Sequence, residues 1–304
     1  MVAHEVGIHN KKHVMEIKRE LIRTDTPKGQ PGFLGAGHTA RPVITGSFKE
    51  SDPFIMLMDD MLDKKDNTPV GGPHPHAGFE TVSFLLEGEI GDEVHKMKSG
   101  DFQMMTAGSG IVHTETIDTI ARMRLLQLWL NLPRKDRWAT PRVQDLPIEH
   151  VPVLSEKGVS IKLYSGSLAG LTSPLQNYAP IIVADITIEP WVKTIQQIPA
   201  NYNSFLYIIK GSVKVGEDEK QLNRDQVGWL DLLNNTRQSD LELTAGVEGV
   251  RLVLYAGKPT GDDIVSYGPF IADTSEDIQR LYSEYRQGKM KHISTVPQSQ
   301  RILL

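Results

Sequence analysis

The chain has 304 residues and a net charge of −5, a length sufficient for two domains that each bury a core without covalent staples. It contains no cysteine, which excludes disulfides, thiolate metal sites, iron–sulfur clusters and cysteine nucleophiles, so any metal must be held by nitrogen and oxygen. The mild acidity offers no attraction to a polyanion, no apolar run is long enough to span a bilayer, and residues 1–23 lack an apolar signal core; a cytoplasmic protein is expected (nuclear as well in a eukaryote), with neither nucleic acid nor membrane as a direct partner.

Residues 1–40 read as an N-terminal extension, in which Val14, Ile17, Leu21 and Ile22 fall near helical spacing and predict a short amphipathic helix over 11–23. From residue 41 the texture changes to short apolar runs separated by Gly, Pro, Asp and Asn. The runs at 43–44, 54–58, 81–86, 123–130, 161–164, 181–188, 205–209, 227–232 and 250–255 predict the strands of an all-β sandwich or barrel. The Pro-rich stretch 133–152, where Arg134, Lys135, Asp136 and Arg137 break the strand texture, sets a boundary between a domain over 41–140 and another over 141–288. Near the end, Asp273 and Glu276 are placed to form a capping box for a helix carrying Ile278, Leu281, Tyr282 and Tyr285, with Gly288 as its stop. The tail, 289–304, carries no legible function. Phe84 to Ile90 and Tyr207 to Val213 share one pattern of strand, turn glycine and returning strand, 123 residues apart, and predict two barrels of one kind.

Chemistry concentrates in the first half. Pro73-His74-Pro75-His76 is followed by Gly78-Phe79-Glu80, and further on Gly108-Ser109-Gly110 leads into Ile111-Val112-His113-Thr114-Glu115. Residues two apart on a strand face the same way, so His74 and His76 share one face, as do His113 and Glu115. If the two strands are neighbours with those faces inward, four nitrogen and oxygen donors converge on one point. Such a set suits a first-row divalent metal, favours Fe(II), and is also compatible with Mn, Ni, Cu, Zn or Co. A single His-x-His pair is more often a surface or hydrogen-bonded pair; two period-two pairs, each beside glycines, favour the metal. Glu80 lies an even number of residues from both histidines and is expected on their face, where it orients a ligand from the second layer. Phe79, Gln103, Met105 and Trp129 are candidate pocket walls. Shifting His74, His76 and Glu80 by 123 lands on Gln197, Pro199 and Asn203, and no histidine occurs over 151–291, so the second domain should hold no comparable site. His4, His9, His13, His38, His95, His150 and His292 are expected in surface or loop positions.

These motifs, with Asp52-Pro53-Phe54, Gly100-Asp101-Phe102-Gln103, Leu126 to Pro133 and Tyr267-Gly268-Pro269-Phe270-Ile271, resemble the pirin family of bicupin proteins over about 41–288. The resemblance implies two antiparallel cupin barrels, iron in the first one, and ligands at His74, His76, His113 and Glu115. It further implies one of two roles. The first is an Fe(II)-dependent dioxygenase of the quercetin 2,3-dioxygenase type, taking a small aromatic flavonol, with Glu115 as ligand and base. The second is an iron-dependent redox-sensing regulator that binds a transcription factor or a metabolic enzyme. A monomer is expected. Ala77 replaces a usual arginine, Met104 a usual tryptophan, and the hairpin over 89–99 is short, departures that should fall at the pocket mouth.

Overall fold

The computed structural model describes residues 16–91 and 96–304, and its regular structure is mostly antiparallel strand. In chain order the main elements are β1 (Leu21–Asp25), β2 (His38–Pro42), the single-turn helix α1 (Phe48–Ser51), β3 (Phe54–Lys64), β4 (Pro73–His76), β5 (Phe79–Glu87), β6 (Phe102–Thr106), β7 (Ile111–Thr114), β8 (Ala121–Asn131) and β9 (Arg142–Leu146). There follow β10 (Val159–Ser165), β11 (Ile181–Ile188), β12 (Lys193–Pro199), β13 (Asn203–Val215), β14 (Val227–Leu230), β15 (Gln238–Gly257), the helix α2 (Ser275–Arg286) and a last strand, β16 (Arg301–Leu303). The first sheet runs β2-β3-β8-β5-β6-β9-β16, and β4 pairs with β7 in a separate ribbon that carries the histidines. The second sheet runs β1-β14-β13-β15-β11-β10, with β12 on the far half of β15. No helix among the described residues is long and apolar enough to cross a membrane.

The two sheets meet face to face. β5 is buried on both sides, so its alternation divides it between two environments. Val82, Phe84 and Leu86 point into a core shared with Phe205, Tyr207 and Ile209 of β13, whereas Ser83 faces the interior of its own domain. Aromatic contacts bridge this core, Phe54 against Phe205 at 5.2 Å and Phe84 against Tyr164 at 4.4 Å, each such pair contributing about 0.5–1.5 kcal/mol beyond the burial of area. Within the first sheet Arg124 donates two hydrogen bonds to the buried Asp59 carboxylate, at 2.9 and 2.8 Å, and across the interface Tyr207 donates a third at 2.6 Å. The two glycines of the repeat read in the sequence both adopt positive φ, +92° at Gly88 just past β5 and +74° at Gly211, which lies within β13 where its register with β15 shifts.

Several expectations are corrected. The described part of the supposed N-terminal helix is extended, and Leu21–Asp25 forms β1 on the free edge of β14; residues 11–15 lie outside the described residues. Burial there alternates with period two, Leu21 inside and Ile22 65% exposed, because an available strand edge outweighs a weak helical spacing. The short run at 43–44 lies just past β2, buried but outside any strand. The first sheet continues beyond residue 140: β9 pairs with β6 from Arg142–Thr106 to Leu146–Phe102. The termini also cross over. β1, in the extension, completes the second sheet, and β16, in the tail, adds in parallel to β9 of the first. α2 begins one residue late. Thr274 is its N-cap, accepting from the Asp277 N–H at 3.1 Å and donating to the Asp277 carboxylate at 2.9 Å, because Asp273 is engaged by Arg137 at 3.1 Å. Gly288, at φ +66°, follows the helix end as expected.

Candidate metal centre

β4 and β7 are antiparallel, with His74 directly opposite His113 and His76 opposite Ile111. Opposed residues on neighbouring strands project to the same face, so the three imidazoles converge without a loop to carry them. Their candidate donor atoms lie within 4.8 Å of one another. His74 and His113 approach Nε2 to Nε2 at 2.8 Å. Two nitrogens bound at about 2.1 Å and at right angles around one cation lie about 3.0 Å apart, so this spacing suits neighbouring ligands of a first-row ion.

Hydrogen bonding fixes the ring states. The Gly72 carbonyl can only accept, so His74 Nδ1 donates to it at 2.9 Å and leaves the Nε2 lone pair facing the cluster. His76 is wedged edge-on against Phe79 and Trp129, ring centroids 5.2 and 5.3 Å away, with the Pro269 backbone also close to its ring. Burial, with the neighbouring His74 imidazole acting in the same direction, pushes His76 down to about 3, and burial holds His113 well below the usual imidazole range. Both are therefore neutral at pH 7, the state in which imidazole binds metal. The donor chemistry fits a divalent cation and does not choose among iron, manganese, cobalt, nickel, copper and zinc.

The other expected site residues divide. Glu115 lies just beyond β7, lines the same cavity and comes within 3.9 Å of His113 Nδ1, but it is not part of the compact trio. About a third of its side chain is exposed, while desolvation by the cavity wall, reinforced by Asp60 and opposed by His74, pushes its carboxyl up. Gln103 lines the cavity and donates to Asp145 at 2.7 Å, and Trp129 is a wall as expected. Met105 does not line the cavity; it packs behind the wall with Ala107, Ile111 and Val143, of which Val143 reaches the lining, and Phe79 is fully buried behind His76.

Glu80 is a correction. It does not share the histidine face; it points to the opposite side of the sheet, fully buried, where Thr106 donates to it at 2.7 Å. The cause is Gly78, whose φ of +85° ends β4 and starts β5 with the parity reset; a Cβ there would stand 1.8 Å from the Ile271 carbonyl oxygen. The two unusual residues are also not at the pocket mouth. Ala77 is buried against Phe270, Ala272 and α2, and Met104 lies in the core between the sheets. Of the short hairpin, Ile90, Gly91 and Met97 line the cavity, and 92–95 lie outside the described residues.

The cavity measures about 470 Å³ and is largely apolar, with the three imidazoles in its lining and Met56, Met58, Leu125 and Trp129 among its walls. Such a volume suits a ligand of drug-like size held by a few placed polar groups. Ser83 and Gln127, hydrogen-bonded to each other at 3.2 Å, supply one polar spot. Two histidines expected at the surface also line it. His38 is buried, accepting from the Leu34 N–H at 3.1 Å and donating to Asp60 at 2.9 Å, and His292 reaches in from the tail. Period two along β3 and β8 could have shown Met56, Met58 and Gln127; nothing in the sequence indicates His292. The matching place in the second domain has Gln197 exposed and donating to Asp240 at 3.2 Å, with Ile198, Leu241 and Leu243 filling the interior.

Comparison with known proteins agrees with this architecture. The family profile Pirin matches residues 37–130, and the Pirin C-terminal cupin domain matches 183–291. The curated protein Pirin of Rattus norvegicus is 35% identical over 263 residues, covering 84% of this chain and 88% of its own. A solved quercetin 2,3-dioxygenase from Acinetobacter baumannii superposes with a TM-score of 0.79 at 23% identity, covering 91% of this chain and 99% of its own. The bacterial pirin YhhW of Escherichia coli, solved in complex with nickel(II), superposes at 0.59 with 17% identity, over 79% of this chain and 99% of its own. At those identities the two structures speak for the fold.

Proposed function

This chain belongs to the pirin family, and from that premise we propose that it is an Fe(II)-dependent dioxygenase that opens the central ring of a flavonol such as quercetin. The observation that carries the reading is the trio His74, His76 and His113 in the lining of an apolar cavity large enough for a three-ring ligand. His74, with its tautomer set by Gly72, and the neutral His76 and His113 would hold the metal. A divalent ion bound there would supply Lewis acidity toward an enolate oxygen.

The chain's own groups do the rest. Glu115, at the cavity edge beside His113, accepts the proton of the flavonol hydroxyl; desolvation raises its proton affinity toward what a general base needs. Trp129, Met56 and Met58 flank the aromatic body of the ligand and exclude water from the reacting carbons. Ser83 and Gln127 offer hydrogen bonds to a distal hydroxyl and fix its orientation.

The test is optical. Iron-loaded protein is mixed with quercetin under nitrogen and then in air, and the flavonol absorption band is followed. Loss of the band only with both oxygen and iron, and its abolition in His113→Ala, is the expected result. A band that persists in air with iron-replete wild-type protein refutes the reaction assigned.

A further inference from the structure

The tail that looked inert lies along the metal site. Strand β7, which carries His113, is paired on one edge with β4; on its other edge the tail is bridged to it in parallel, Val112 to His292, and the Val112 N–H donates to the Lys291 carbonyl at 2.9 Å. The next residues form a turn of 3₁₀ helix, Ile293–Thr295. His292, Ile293 and Ser294 all line the cavity that holds the three imidazoles. The segment is held at both ends, by Met290 buried against α2 and by β16 paired to β9.

The role of His292 follows from its hydrogen bonds. The Ser294 N–H can only donate, so Nδ1 accepts it, at 3.2 Å, and also contacts the Ser294 hydroxyl at 2.7 Å. Nε2 then carries the proton and donates to Thr114 Oγ1 at 2.8 Å. Both ring nitrogens are consumed within the protein, so this imidazole is not placed as a fourth ligand. It is a latch between the tail and the residue that follows His113.

We infer that the tail segment around His292 is a specificity-determining wall of the metal cavity, latched to Thr114, against which flat aromatic ligands longer than one ring are packed. The inference rests on the metal-site reading above, but not on the reaction assigned there. A small anion would draw its affinity from the cation and offers no apolar surface to Ile293. A longer aromatic ligand also lays its rings on the Ile293 and His292 lining beside the imidazoles. Loosening the wall therefore weakens the long ligand and spares the short one.

The test uses the full-length protein loaded with Co(II), whose visible spectrum reports ligand binding, titrated with azide and with 4-phenylimidazole. His292→Asn keeps a side chain able to cap the 3₁₀ turn but too short to reach Thr114. Ile293→Ala trims the wall, and Thr114→Val removes the latch from the other side. Loss of one neutral hydrogen bond or of a few wall contacts corresponds to about three- to tenfold weaker binding of 4-phenylimidazole, with azide held within twofold. The His292→Asn and Thr114→Val effects should not add, because they break the same bond. Amide exchange at Val112 should quicken in His292→Asn whatever ligand is present. Unchanged 4-phenylimidazole binding in all three variants, or an equal loss of azide, overturns the wall. Wild-type protein that takes up no Co(II) overturns the metal reading and the wall with it, whereas failure of quercetin turnover with normal Co(II) and azide binding defeats only the assigned reaction.

Discussion

Replacing Glu80 by glutamine should stabilise the protein at alkaline pH and leave the metal centre unaltered. Glu80 is fully buried between the two sheets, and its Oε1 accepts from the Thr106 hydroxyl. Burial pushes the carboxyl from an ordinary 4.5 up to about 7, against the opposing effects of the Thr106 hydroxyl, the charge of Arg142 and the Tyr178 backbone. At roughly 1.4 kcal/mol per tenfold change in proton affinity, that displacement corresponds to a cost on the order of 3 kcal/mol for ionising the folded protein. The folded-state value is raised, so the proton's contribution is fully present below pH 4.5 and is lost as the pH rises to about 7. Urea unfolding followed by tryptophan fluorescence should show Glu80→Gln within about 1 kcal/mol of wild type at pH 5 and more stable by roughly 2–3 kcal/mol at pH 8. Co(II) affinity at pH 7 should be the same in both proteins. A difference in stability independent of pH, or a clear loss of metal affinity, would refute the placement of Glu80 away from the imidazoles.

Other perturbations probe the remaining parts. His113→Ala should lower Co(II) affinity by about 100-fold or more, since even outer-layer partners of metal ligands contribute 10- to 100-fold; direct titration measures it. Gly78→Ala forces a side chain onto the Ile271 carbonyl at a positive φ and should cost about 2–4 kcal/mol, read as a drop in the urea midpoint. Asp59→Ala leaves the buried Arg124 with only the longer contact to Asp225 at 3.8 Å and should destabilise by about 3–5 kcal/mol, whereas changing both residues to leucine should cost less; the same unfolding curves compare them.

What the sequence reveals depends on how far each reading must reach. Strand positions in both domains were legible because alternation and turn glycines are local properties. The imidazole trio was legible for a related reason: period two within each of two strands, once they pair, is enough to aim His74, His76 and His113 at one point. Glu80 shows where that rule stops. Even spacing means a shared face only inside one unbroken strand, and the left-handed backbone at Gly78 breaks the count. The N-terminal segment was misread because its helical spacing is weaker than the pull of the free edge of β14, a partner 200 residues away in the chain. The tail could not be read at all. His292 contacts Thr114 across 178 residues, and no periodicity within 289–304 announces that its neighbours wall a cavity in the first domain.

The central claim is that three imidazoles on paired strands converge on one cation. X-ray absorption at the K-edge of the metal, on full-length protein loaded with one equivalent of nickel or iron, tests it most directly. The account predicts nitrogen and oxygen donors at about 2.0–2.2 Å with the outer-shell scattering of three imidazole rings, reduced to two in His113→Ala. Scattering from one ring or none, or a spectrum that His113→Ala leaves unchanged, would contradict it.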